Sequence, residues 1–351
     1  MPKKRMLSQD LVRAVCCLGM VAYHFSMHLL ETASLIPIKY HANGLWGEIF
    51  VTVFFAMSGA MLYRNHPIIT GEELKKYYYK RWKSIFPAFY TVFLVGFFIN
   101  VVHFHRFFYY GNPLRLLYSV LGIDGYLSVY GVPTYYICGE WFLGAIIILY
   151  LLYPVILYFF NKNDIVLTVM VFLYFMFKTV TGIGVRHMWV DVFSCLLSFE
   201  IGMFLMKHEL FVRPYVGMIA LIIAVITLIV PLPGNNYAWN HLTGIAAYLA
   251  INMIAKELIK VPAICFAAQK ISSISYPVYL VHHLIIIKIV SLFYPLSVRK
   301  VLFCLLLTWL ASIVAGYLLS IVNRYEIRYI DAGIKHWRRK REININEKIT
   351  N

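Results

Sequence analysis

Residues 141–160 read WFLGAIIILYLLYPVILYFF, twenty positions without a charged side chain. A helix of that length rises about 30 Å, the thickness of a bilayer's hydrocarbon core. Working outward, the same pattern predicts ten apolar helices, over 8–29, 44–64, 84–102, 136–160, 165–182, 187–206, 214–231, 238–256, 271–294 and 301–323. The composition agrees. Hydrophobic residues make up 61% and charged residues 14%, whereas soluble proteins carry about 25% charge. A soluble globule would lack the polar surface to cover itself, so a cytosolic enzyme, a disordered chain and a secreted disulfide scaffold are all excluded. A β-barrel needs ten-residue alternating strands in place of long apolar runs. The expected fold is all-α, a polytopic membrane protein of about ten transmembrane helices. Cys16, Cys17, Cys138, Cys195, Cys265 and Cys304 fall in or beside apolar runs and are expected to be small core hydrophobes.

The net charge of +16 suggests nucleic acid until it is located. The basic residues cluster at the ends of apolar segments, as expected for topology and anionic lipid. With the N-terminus inside, 24 of the 32 Lys and Arg fall on the cytoplasmic side, seven outside and Lys288 within a span. This predicts cytoplasmic termini, a multi-pass protein and no nucleic-acid partner. Lys3, Lys4 and Arg5 before an apolar run resemble a signal peptide, but no small-residue cleavage site follows, so a retained first helix is expected. Residues 103–135 form one long aromatic loop, punctuated by Gly and Pro, that can fold back on the membrane. Residues 1–325 are assigned to the transmembrane domain and 326–351 to a basic tail lying on the inner leaflet.

Ionisable residues inside spans are costly, so each is a candidate for function. Arg13 and His24 are eleven residues apart. At 100° per residue they share one helix face, about 16 Å apart along the axis. Lipid contact by Arg13 and a helix–helix bond by His24 would also fit. Lys80, Arg81 and Lys83 precede Ile85-Phe86-Pro87 at the expected start of the third span, where an anionic ligand would meet cations and free N–H groups together. Glu140 precedes Trp141 and can orient or charge-pair a histidine. Tyr276, Pro277, His282 and His283 lie in the ninth span, where the proline is expected to kink the helix. His24 and His28 have metal-ligand spacing, but no third ligand follows in sequence, so no metal is expected. Glu200 lies mid-span without a role.

Taken together these segments resemble the acyltransferase family 3 membrane proteins, ten-helix O-acyltransferases of bacterial surface sugars. Arg13 with His24 matches the family's arginine–ten residues–histidine signature. Residues 54–59, FFAMSG, resemble its FFxxSG segment, and 80–87, KRWKSIFP, its RRxxRIxP segment. Residues 141–143 and 151–154 resemble its WFL…LLYP helix. Residues 274–282, ISYPVYLVH, resemble its ISYxxYLxH helix. Lys80 replaces the usual arginine, and Ser84 a third basic residue.

The resemblance implies acyl transfer, acetyl in the first instance, from cytoplasmic acyl-CoA to a hydroxyl of a cell-surface or lipid-linked polysaccharide at the plasma membrane. It implies acyl-CoA phosphates on Arg13, Lys80, Arg81 and Lys83, His24 as general base, and Glu140 as its partner. Ser58, Trp141, Tyr276 and His282 would line the substrate path. Members with a fused extracytoplasmic domain carry a second step; here a separate polysaccharide-assembly protein would supply it. A transporter or flippase of a lipid-linked sugar is the alternative from another class, although no repeated halves with paired broken helices are visible.

Overall fold

The computed structural model describes residues 5–33, 45–108, 111–135, 140–182, 190–230 and 236–350, with the backbone alone at 30–33, 236, 298, 338 and 341–350. Among these residues all regular structure is helical: α1 (Leu7–Ala33), α2 (Gly47–Asn65), α3 (Gly71–Phe104), α4 (Leu116–Val120), α5 (Asp124–Val129), α6 (Trp141–Lys162), α7 (Asp164–Thr181), α8 (Val192–Lys207), α9 (Pro214–Ile229), α10 (Asn236–Leu258), α11 (Pro262–Phe293) and α12 (Val298–Thr350). Every expected apolar segment is occupied by one of the long helices. Among the described residues, six of them, α1, α3, α6, α7, α11 and α12, are long and apolar enough to cross a membrane. The shortfall from ten has a composition and length basis. The helices α8 and α9 have 16 residues each, while α2 and α10 carry Glu48, Asn240, His241 and Asn252 among their apolar residues.

The bundle is assembled around α1. Two of its buried polar residues, Gln9 and Asp10, are met by other helices, as an apolar interior favours. Gln9 donates to Asn252 at 3.0 Å and accepts from the Tyr248 hydroxyl at 2.9 Å, joining α1 to α10. Ser272 on α11 donates to Asp10 at 2.7 Å, and the Trp309 indole on α12 donates to the Leu18 carbonyl at 2.9 Å. Arg5 pairs with Asp10 at 2.6 Å. The charges that interrupt the apolar pattern near α7 and α8 are also paired, Lys178 with Asp191 at 2.9 Å. Arg186, the third of that group, lies outside the described residues.

Two local features differ from expectation. The helix α3 begins at Gly71, thirteen residues before the expected span, because Thr70 and Glu73 form a capping box there. The start of α3 is therefore nine residues before Lys80, and its free N–H groups play no part beside those cations. The helix α11, as expected, holds Pro277 in its interior. The basic tail does not turn onto a separate path: α12 runs 53 residues without a break, about 80 Å. No Gly or Pro occurs between Gly316 and Gly333 to stop it. It stays beside α3, where Asp331 accepts from Tyr79 at 2.6 Å and pairs with Lys83 at 3.1 Å.

Described residues of the 103–135 loop pack against the bundle. The Tyr90 hydroxyl donates to the Val120 carbonyl at 2.7 Å, and α5 packs on α6. Tyr126 and Tyr130, two of the aromatic residues of that loop, contact each other at 5.3 Å between ring centroids; Tyr109 and Tyr110 lie outside the described residues. All cysteines except Cys138, which also lies outside them, are free thiols.

The close approach of α2 and α8 depends on two glycines. A Cβ on Gly59 would lie 1.8 Å from the Phe199 carbonyl oxygen, and one on Gly202 would lie 1.8 Å from the Ala56 carbonyl oxygen. Both obstacles are backbone, so neither can rotate away. Gly59 closes the FFAMSG segment, and this packing is a physical reason for its glycine. Gly59→Ala and Gly202→Ala are each expected to destabilise the detergent-purified protein by about 1–3 kcal/mol, read as a lower midpoint in a thermal melt. An unchanged midpoint in both would contradict the packing.

Candidate active site

A single stripe on α1 organises the site. Arg13, Cys17, Met20, His24 and Met27 follow one another at three- and four-residue spacing and line one cavity of about 460 Å³, within the range of small-molecule sites. The other walls come from α2, α3, α6 and α11. The cavity brings together eight of the ten residues singled out from the sequence: Arg13, His24, Ser58, Arg81, Glu140, Trp141, Tyr276 and His282.

Lys80 and Lys83 are not brought to it. Once α3 is continuous through this region, the face that meets the cavity is Arg81, Ser84 and Ile85, the spacing of one helical face. Lys80 is one residue, about 100°, off that face, and is exposed. Lys83 points to α12, held by Asp331 and 5.2 Å from the Tyr79 ring centre.

The two ends of the cavity have opposite character. At one end are Arg13 and Arg81. Among the described residues neither forms an ion pair with a carboxylate. The Arg81 Nε is buried without a hydrogen-bond partner, and its guanidinium lies 5.5 Å from the Tyr150 ring centre. A guanidinium in partly desolvated surroundings without a counter-charge is unfavourable, and an entering anion relieves this.

At the other end Glu140, the residue preceding the first turn of α6, meets α1 and α11. Its Oε2 is 3.2 Å from His24 Nε2, and its Oε1 contacts His283 Nε2. Tyr279 holds the Glu140 backbone in place: the Glu140 N–H donates to the tyrosine hydroxyl at 2.9 Å. The neighbouring positions on α11 have related tasks. Tyr276 donates to the Ile85 carbonyl of α3 at 3.1 Å, and His282 Nδ1 contacts the Tyr279 carbonyl at 2.7 Å. Tyr276, Tyr279 and His282 thus form an i, i+3, i+6 row that ties α11 to α3 and α6 around the cavity.

Two residues of the site are new relative to the sequence reading. Glu48 at the start of α2 also lines the cavity, its carboxylate accepting from Asn240 at 2.6 Å. It lies within the expected 44–64 span but was not singled out there. His283 was visible as a histidine beside His282, but its contact with Glu140 joins positions 143 residues apart and has no sequence signal. The ring centres of His24 lie 5.1 Å from His282 and 4.3 Å from His283. The α11 histidines thus reach His24 beside Glu140, and His28 lies 5.7 Å from His283 between ring centres. Glu200 is elsewhere: it accepts from Thr168 at 2.9 Å, between α7 and α8.

What the arrangement can do follows from its parts. A histidine oriented by a carboxylate is equipped for proton transfer, and paired guanidiniums are suited to phosphate. Comparison with families of known proteins matches residues 7–322 to the acyltransferase domain of acyltransferase family 3. No curated protein and no solved structure matches the chain. The matched region runs from the first turn of α1 well into α12 and contains every wall of the cavity, and the chain belongs to acyltransferase family 3.

Proposed function

We propose that this membrane acyltransferase moves an acyl group, acetyl in the first instance, from cytoplasmic acyl-CoA to a hydroxyl of a cell-surface or lipid-linked polysaccharide. The observation that carries this reading is the polarity of this cavity, with two guanidiniums that have no carboxylate partner among the described residues at one end and the His24–Glu140 pair at the other. The separation of Arg13 and His24, about 16 Å along α1, suits a donor with a phosphorylated head and a reactive thioester at the far end of a narrow arm.

In this reading Arg13 and Arg81 hold the CoA phosphates, and the arm runs between α1, α3 and α6 past Ser58 and Tyr276. The thioester carbonyl comes to rest near His24. The carboxylate of Glu140 accepts the Nε2–H of His24, which leaves Nδ1 with the lone pair. That nitrogen takes the proton of the acceptor hydroxyl as the oxygen attacks the thioester carbonyl. The C–S bond breaks, the CoA thiolate leaves, and the proton on His24 passes to the thiolate. Glu140 stabilises the imidazolium that exists between the two proton transfers. Trp141 and His282 flank the acceptor. Glu48, at the same end, offers a second carboxylate to sugar hydroxyl groups.

Two variants test the assignment in an assay that follows the acyl group from radiolabelled acetyl-CoA into membrane polysaccharide. His24→Ala is expected to lower turnover at least ~10²-fold, the lower limit for loss of a general base, while protein level and acyl-CoA binding persist. Retained turnover would remove His24 from the chemistry. Glu140→Gln keeps the shape of the side chain and removes its charge, so it is expected to lower kcat with little change in the KM for acyl-CoA. A change in KM alone would make Glu140 a binding residue. If the wild-type protein translocates a lipid-linked sugar and neither binds nor consumes acyl-CoA, it is a flippase and the proposal fails.

A further inference from the structure

The His24 end of the cavity contains more coordinating chemistry than acyl transfer requires. His24 from α1 and His282 and His283 from α11 each present a ring nitrogen, and these three nitrogens all lie within 4.8 Å of one another. Glu140 is already in contact with two of the three rings. Three imidazoles and a carboxylate form the ligand type that suits zinc and its neighbours in the first transition row.

A second observation points the same way. His282 is 1% exposed, and its Nε2 is buried without a hydrogen-bond partner. Its Nδ1 lies 2.7 Å from the Tyr279 carbonyl oxygen, which can only accept. Nδ1 therefore carries the proton, and Nε2 is left as a bare lone pair in a buried position. A backbone carbonyl fixing the tautomer of a ring whose other nitrogen is free is the usual support for a metal-ligating histidine. Around a tetrahedral Zn²⁺ with Zn–N bonds of about 2.0–2.1 Å, the nitrogens are ~3.3 Å apart.

We propose that His24, His282, His283 and Glu140 form a binding site for a divalent first-row transition metal, Zn²⁺ foremost, and that its occupation switches off acyl transfer. The second part rests on the function proposed above. A neutral imidazole has one lone pair. A His24 that ligates a metal cannot also accept the proton of a hydroxyl, and a Glu140 bound to the ion no longer stabilises an imidazolium. The metal acts here as an inhibitor that competes with the reaction for the same electron pair.

The test uses the full-length chain in detergent, purified without a polyhistidine tag and stripped with EDTA. Co²⁺ is added first, as a spectroscopic stand-in for zinc. The expected result is the intense visible absorption of four-coordinate Co²⁺, lost on adding one equivalent of Zn²⁺. His282→Gln and His283→Gln are each expected to weaken Zn²⁺ binding by at least ~10–100-fold, the loss seen when even an outer-shell partner is removed. In the transfer assay Zn²⁺ is expected to inhibit the wild type and EDTA to restore it, with the half-inhibitory concentration rising by the same factor in His283→Gln. Absence of the cobalt spectrum in folded wild-type protein would overturn the site, whatever the assay shows. Unchanged zinc affinity in both variants would also overturn it. Zinc bound at full occupancy without loss of transfer would overturn the switch. So would an EDTA-stripped enzyme that is inactive until zinc is returned, and that result would also displace His24 as the base.

Discussion

The site depends on how one carboxylate is satisfied in apolar surroundings. Glu140 stands at the meeting point of α1, α6 and α11, with one oxygen against His24 and the other against His283. A carboxylate moved out of water needs such partners. Removing either would leave the other side of the contact unbalanced. Its backbone is fixed by Tyr279, so the position of α6 relative to α11 and the orientation of the His24 ring are set by the same few atoms. Packing and chemistry are not separable at this point in the fold.

The rest of the bundle holds that meeting point open as a cavity. The helix α1 is anchored along its length by Gln9, Asp10 and the Leu18 carbonyl to α10, α11 and α12. Its stripe from Arg13 to Met27 is therefore held against the cavity. Gly59 and Gly202 bring α2 and α8 into backbone contact, which fixes the wall that carries Ser58. The tail of α12 binds Lys83 through Asp331, which leaves Arg81, on the other face of α3, as the cation that helix gives to the cavity. Charge on one helix is thus divided between a structural ion pair and a guanidinium on the cavity wall.

The positions of the long helices were legible because an apolar run of span length has few other uses. Arg13 and His24 were legible as partners because both lie on one helix, where 100° per residue is reliable. The start of α3 was not, since its first turns are polar and only the Thr70–Glu73 cap marks them. That misplaced start carried Lys80 and Lys83 into the expected anion site. The helical phase of Arg81, Ser84 and Ile85 would have separated them. The path of α12 past residue 325 was hidden because its charges suit an exposed helix in either direction. The contacts Glu140–His283 and His24–His282 join residues more than a hundred positions apart, so spacing within a helix carries no information about them. The cluster of His24, His282 and His283 was hidden for the same reason: a third histidine was sought along α1, and the neighbouring rings come from α11.

The central claim is that one cavity binds acyl-CoA by its phosphates at the Arg81 end and reacts it at the His24 end. Calorimetric binding of acetyl-CoA to the detergent-purified protein measures this directly, with wild type, Arg81→Ala and His24→Ala side by side. The account predicts binding by wild type and by His24→Ala with similar affinity. It predicts about 10–150-fold weaker binding by Arg81→Ala, the loss of ~1.5–3 kcal/mol expected for a hydrogen bond to a charged group. Binding that is absent in the folded wild type, or that is unaffected by Arg81→Ala while His24→Ala abolishes it, would contradict the account.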